Sequence, residues 1–323
     1  MSFEEQITEK LSAKKLSAPS IKLYISNLRK LNEGLPIKNF RFLANVDETM
    51  KKLESLKPNT RKSILSSIVS IMNCFLITPA ITNLCNKYYK LMNHEKSIIK
   101  ETPTSALSAT QKANWIDWAD IMKVWKQLYD ATVIIAKKKT ISELQYNVTL
   151  NFIVLSLYTK IPPRRNLDWS AMYFKNPLKQ DNLEYNYIDL ENNEFTFNQY
   201  KTKNKYKQYK MAIPPELREC IDLYIKHHPM IKIYNKKNNK VDVPFLVYFN
   251  EKPLTAINAI TRILNALFKK KVGSSMIRHI FLTDAYGKED AERKIISEQM
   301  GHSEQTQRDY IKQSPKDIVI NFD

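Results

Sequence analysis

Near its C-terminal end the chain reads MGHSEQTQRDYIK, residues 300–312, which sets His302 shortly before Tyr310. A tyrosine hydroxyl has an unperturbed pKa of about 10. It becomes a nucleophile only where a proton acceptor or a strongly positive site helps it ionise. An imidazole that titrates near neutrality can give part of that help. The competing reading is a helix corner, with Gly301 ending one helix and Tyr310 packing the next. The stretch alone does not separate the two.

Three other stretches bear on the choice. KIPPRRNLDW puts Arg164 and Arg165 after Pro162 and Pro163 at the start of a helix, with Asp168 three residues beyond Arg165. Guanidinium forks at such a bend match phosphate oxygens bidentately. An Arg165–Asp168 ion pair is the structural alternative, and both can hold, because an acidic neighbour can fix an arginine for binding. NQYKTKNKYKQYK interleaves Lys201, Lys203, Lys205, Lys207 and Lys210 with Tyr200, Tyr206 and Tyr209. A basic hairpin of this content can lie along a nucleic-acid backbone, each lysine neutralising phosphate. An edge hairpin that its lysines keep from aggregating has the same composition. SSMIRHIFLTD places Ser275, Arg278 and His279 on a further helix.

The composition narrows the partner. Lysine and arginine number 51 against 33 aspartate and glutamate, a formal net charge of +18 over 323 residues. That excess favours a polyanion. Nucleic acid is preferred to membrane, since no apolar run is long enough to span a bilayer and no lipidation signal is present. The opening MSFEEQITEK is too acidic and polar for a signal peptide, so an intracellular location is expected, with nucleus and cytoplasm both open. Three cysteines without ligand spacing support neither a disulfide framework nor a zinc site. The chain has only four glycines and no Walker-type loop or HExxH, so any chemistry here is expected to run without a nucleotide cofactor or metal.

The elements that must position these residues follow from hydrophobic period. Helical spacing at Ile21, Tyr24, Ile25, Leu28 and Leu31, and again from Ile64 to Phe75, predicts a helical N-terminal domain over residues 1–100. Further helices are expected at Phe3 to Leu16, Asp47 to Leu56 and Ile81 to Met92. Residues 101–112 lose this period and gather Ser, Thr and Pro, the composition of a linker. Residues 113–323 then form a second domain of α+β class. It opens with two long helices and continues with alternating strands around an Asn192-Asn193 turn and the basic hairpin. Separate helices follow at PELRECIDLYIKHH, PLTAINAITRILNALFKKK, SSMIRHIFLTDAY, AERKIISEQM and TQRDYIK.

In that order and architecture, Arg165-Asn166-Leu167-Asp168, a hairpin lysine, Arg278-His279, Met300-Gly301-His302-Ser303 and Tyr310 resemble the tyrosine recombinase, or phage integrase, family. The style of PPRRNLDW and MGHSEQTQRDYIK is closest to integrases of eukaryotic DNA viruses and related mobile elements. The resemblance spans essentially the whole chain. It implies a helical core-binding domain and an α+β catalytic domain with a small antiparallel sheet. It implies catalytic roles for Arg165, Lys201, Arg278, His302 and Tyr310, with Arg164, Lys203, Ser275 and His279 as secondary candidates. Lys203, Lys205, Lys207 and Lys210 remain DNA contacts.

The implied reaction cleaves and rejoins double-stranded DNA through a 3′-phosphotyrosine without ATP or metal, on a homotetramer holding two DNA sites. Two departures stand out. Ser275 replaces the family's histidine or lysine, and the interval from His302 to Tyr310 is shorter than in many bacterial members. His279 is the rival imidazole, although its angular offset from Arg278 predicts packing. Strand religation of the type IB topoisomerase kind and a catalytically decayed DNA-binding protein are the alternative readings.

Overall fold

The structure, a computed structural model, describes residues 1–76, 78–101, 107–170, 172–236 and 241–299. The chain divides into two compact units, residues 1–107 and 108–323.

The first unit is helical throughout its described residues: α1 (Phe3–Ala13), α2 (Ala18–Leu31), α3 (Val46–Leu53), α4 (Pro58–Met72) and α5 (Pro79–Glu101), with one 3-10 turn at Arg41–Leu43. Helix starts are set locally. Ser2 and Glu5 form a reciprocal capping box on α1, Asn45 caps α3 through the Glu48 amide, and Pro58 opens α4 where no amide donor is needed. Ile64, Leu65, Ile68, Ile71 and Met72 of α4 are buried with Leu28, Leu43 and Tyr88. The Tyr88 hydroxyl is satisfied by Leu43 O at 2.8 Å and Thr49 Oγ1 at 2.9 Å.

In the second unit α6 (Ala109–Asn114), α7 (Trp118–Ile135), α8 (Glu143–Thr159) and α9 (Asn166–Ser170) precede a small sheet. α6 begins within the stretch expected to be linker and runs past it to Asn114, started by a capping box between Ser108 and Gln111. The C-terminal half of α8 is buried on all sides and is the centre of the core, with Phe152, Ile153, Val154, Leu155, Leu157 and Tyr158 enclosed.

The sheet order is β1 (Met172–Phe174), β2 (Asn186–Asp189), β3 (Glu194–Phe197) and β4 (Tyr209–Ala212). It is mixed rather than purely antiparallel, because β1 runs parallel to β2. The connection through residues 175–185 returns the chain to the start of the sheet before β2 begins, which makes the parallel pairing. On the other side of β1, Phe174 N–H donates to Val243 O and Phe245 N–H to Met172 O. The β2–β3 turn is held by Asp189, whose Oδ1 accepts the amides of Glu191 and Asn192.

The basic connection from β3 to β4 also departs from a plain hairpin, since α10 (Lys203–Tyr206) interrupts it. α11 (Pro215–Ile225), α12 (Ile231–Tyr234), α13 (Ile257–Phe268) and α14 (Ser274–Gln299) complete the described fold. α14 merges two helices expected to be separate. Gly287 sits inside it, a cost of about 1 kcal/mol relative to alanine that flanking helix formers tolerate. Arg293 pairs with Glu289 and Asp290 along the same surface.

His228, buried between the edges of the Phe174 and Tyr224 rings, couples this fold to pH. Its Nδ1 accepts the Met230 amide at 3.2 Å. Burial pushes the imidazole down from its ordinary 6.5 to about 4. Between those values the unfolded chain takes up a proton that the folded chain refuses. Stability from this site is therefore present above about pH 6.5 and is lost as pH falls towards 4, by about 3 kcal/mol in all. Urea unfolding across pH 4–7 is expected to show that decline, and His228→Leu to flatten it.

Candidate active site

Arg164 and Arg165 enter the second unit on a corner whose geometry is fixed from beneath. Asn166, buried at the start of α9, donates from Nδ2 to Ile257 O at 2.9 Å and to Thr261 Oγ1 at 2.8 Å. Its Oδ1 accepts the Tyr158 hydroxyl at 2.7 Å. One amide thereby ties α9 to α8 and α13. Trp169, fully buried, packs edge-on against Phe195 and Phe197 of β3. This packing seats α9, directly after the arginines, on the sheet.

The two arginines then part company. Arg164 Nε donates to Asp168 Oδ2 at 2.8 Å, and its guanidinium carbon lies 3.8 Å from the centroid of the Phe197 ring. The ion pair anticipated for Arg165 thus belongs to Arg164, which precedes α9 and whose guanidinium lies over the Phe197 ring beside the acid. Arg165 is half-buried and makes no ion pair or side-chain hydrogen bond among the described residues. Asp168 is 3% exposed, and its Oδ1 has no partner among the described residues. Burial lifts its pKa above the ordinary carboxylate range, while Arg164 and, more weakly, Arg165 pull it down.

Arg278 reaches the same place from α14. The turn before that helix is set by Asn265, whose Oδ1 accepts the Val272 amide at 2.7 Å. Ile277 and Ile280 are buried on the core side, which orients the half-buried Arg278 between them. Arg164, Arg165 and Arg278 line one cavity of about 420 Å³ with Asp168, Pro162 and Pro163. Tyr200, Thr202, Tyr206 and Tyr209 form the rest of its wall. Three guanidinium groups face one carboxylate, so the cavity carries a net positive charge suited to an anion.

The lysines divide. Lys201 is exposed and lies between two lining residues, Tyr200 and Thr202, without lining the cavity itself. Lys203 Nζ donates to Gln199 Oε1 at 2.7 Å. Lys205 sits 4.9 Å from the Tyr206 ring centroid. Lys207 adopts a left-handed backbone at φ 55°, and its carbonyl accepts the Tyr200 hydroxyl. Lys210 pairs with Glu194 across β3 and β4 at 2.7 Å, which commits that ammonium to the sheet.

Ser275 is exposed one turn before Arg278. His279 is exposed rather than packed, because its neighbours Arg278 and Ile280 take the inward positions of that turn. His302 and Tyr310 lie outside the described residues.

Asn186 carries no signal in the sequence and yet organises the site. It is fully buried, its Oδ1 accepts the amides of Asn198 at 2.8 Å and Gln199 at 2.7 Å, and its Nδ2 donates to Asp168 O and Gln199 O. One side chain fixes the arginine corner against the strand end that leads to Lys201. Among the described residues no group of three or more histidine, cysteine or acidic side chains could hold a metal, and no helix is long and apolar enough to cross a membrane.

No protein-family model and no curated protein matches the chain. A solved structure, the crystal structure of XerA recombinase, aligns over 97% of this chain and 94% of that one, at 15% identity and a TM-score of 0.34.

Asn186→Ala leaves two buried amides and two carbonyls without their partner, each such group costing about 1–3 kcal/mol. The variant is expected to lose at least about 2 kcal/mol in denaturant unfolding. Asn186→Asp, which sets an unpaired buried carboxylate against the two carbonyls, is expected to be no more stable than Asn186→Ala.

Proposed function

We propose that this chain is a DNA strand transferase of the tyrosine recombinase kind, and that it integrates viral or mobile-element DNA. The observation that carries the proposal is the cavity in which Arg165 and Arg278, distant in sequence and free of ion pairs among the described residues, stand beside the anchored Arg164. The formal charge of +18 supports a polyanionic substrate. The assignment of Tyr310 and His302 rests on the resemblance of MGHSEQTQRDYIK to the family.

In this reading the Tyr310 oxygen attacks a DNA phosphorus. The phosphorane that forms carries excess charge on its non-bridging oxygens, which Arg165 and Arg278 stabilise without giving up protons. The bond to the 5′ oxygen breaks, and that oxygen takes a proton from Lys201 or, as second choice, Lys203. His302 donates to a phosphate oxygen or briefly holds the tyrosine proton. Tyrosine remains bonded to the 3′ phosphate until a 5′ hydroxyl from another strand attacks and releases it. The bond energy stays in the phosphotyrosine, so neither ATP nor metal is consumed. A homotetramer on two DNA sites would exchange strands in this way.

A pool of duplexes nicked near the scissile position, incubated in excess EDTA, tests the chemistry. The parent chain is expected to become covalently attached to a 3′ end, and Tyr310→Phe to bind DNA equally well without any adduct. An adduct in that variant would move the nucleophile elsewhere, for instance to Tyr286, which is exposed on α14. Failure of the parent to react in EDTA, with recovery in magnesium, would overturn the mechanism.

Arg165→Ala is expected to slow adduct formation about 100- to 1,000-fold, the cost of removing one preorganised donor to developing charge. Its equilibrium binding should change far less. A larger effect on cleavage from Arg164→Ala would exchange the roles of the two arginines.

A further inference from the structure

The arginine cavity has a second chemical character that phosphate binding does not use. Its volume of about 420 Å³ falls in the range of small-molecule pockets, about 300–1,000 Å³, and is far more than a phosphate group fills. Much of the rest of its wall is aromatic. Tyr206 is 59% and Tyr209 44% exposed, so both keep ring surface open to a ligand. Tyr200 is different, since it is buried and its hydroxyl is spent on Lys207 O at 2.7 Å.

The Tyr209 ring is also held in place. Tyr209 lies nearly parallel to Phe197, at 6.2 Å between centroids, and 5.3 Å from the guanidinium carbon of Arg164. Arg164 is itself clamped by Asp168. Tyr206 closes the short helix α10, with the Lys205 ammonium near its ring. A phosphate at the guanidinium groups therefore has two aromatic surfaces within one nucleotide's reach.

We infer that the cavity binds a whole nucleotide of a DNA strand, with its phosphate at the arginines and its base, withdrawn from the helical stack, against Tyr206 and Tyr209. This inference rests on the reading of the cavity as a DNA phosphate site. In an intact duplex the base faces are covered by their neighbours and only the edges are presented, so the tyrosines would find nothing to stack on. An unpaired or extruded base offers a face, and stacking on an aromatic ring tolerates any base. The site thus favours a nucleotide that is already unpaired, or one that is cheap to unstack, next to the scissile phosphate.

The test uses the full chain and two single-stranded oligonucleotides of equal length and phosphate count, one of deoxythymidine throughout and one wholly abasic. The parent is expected to bind the thymidine strand more tightly by about tenfold, within the span that one or two base–aromatic stacks provide. The double variant Tyr206→Ala, Tyr209→Ala should lose that preference while still binding the abasic strand. Tyr206→Phe with Tyr209→Phe should keep it, since the rings remain. Equal binding of both strands by the parent, or a preference that survives in the alanine variant, overturns the inference. A base preference that follows the rings in a chain forming no covalent adduct would reject strand transfer and leave the nucleotide site standing.

Discussion

The buried carboxylate of Asp168 is the constraint around which the second unit's working face is arranged. A carboxylate taken out of water is costly unless it is paired, and removing one partner from such a pair leaves the other stranded. Arg164 pairs one of its two oxygens, and the Phe197 ring covers the guanidinium from the sheet side. That pairing consumes one arginine of the adjacent pair. Arg165, next along the corner, is left without an ion pair among the described residues, and its charge is available at the cavity.

Two asparagines turn that local pairing into a rigid site. Asn166 fastens the corner to α8 and α13, and Asn186 fastens the Asp168 carbonyl to the end of β3. Both are buried amides that donate and accept at once, which aspartate, leucine or alanine cannot reproduce. The Asn186 links, between the arginine corner and the strand end that leads to the lysine loop, all run to backbone. Backbone groups do not vary with side-chain identity, so the linkage tolerates change elsewhere on the face.

Much of the helical framework was legible in the sequence because burial imposes a 3.6-residue period, as from Ile64 to Met72, and because caps such as Ser2 and Asn45 mark helix starts. The arginine corner could be read from Pro162-Pro163 followed by Arg164-Arg165, but not which arginine Asp168 holds, since both spacings lie within one helical turn. The parallel β1–β2 pair was illegible, for three residues are too few to show an alternation or a strand direction. Asn186 was illegible for another reason. A single polar residue inside a strand looks like an outward-facing one unless its backbone partners are known. The merger into α14 escaped because the glycine and the run of charges in its middle look like a boundary, although intrinsic propensity and i,i+4 pairs carry the helix through.

The helical hairpin of α7 and α8 brings together residues that are near one another in sequence, and such contacts close cheaply and early during folding. The cavity is the opposite case. Its first arginines precede the sheet, its aromatic wall follows β3, and its last arginine arrives only with α14. The entropy of closing so long an interval is met only once the intervening sheet and helices are in place. During synthesis Arg164 and Arg165 leave the ribosome well before Arg278, and at that stage they form a bare basic corner with no enclosed site. The concentrated positive charge that would capture a polyanion therefore comes into being only when Ile277 and Ile280 of α14 complete the core.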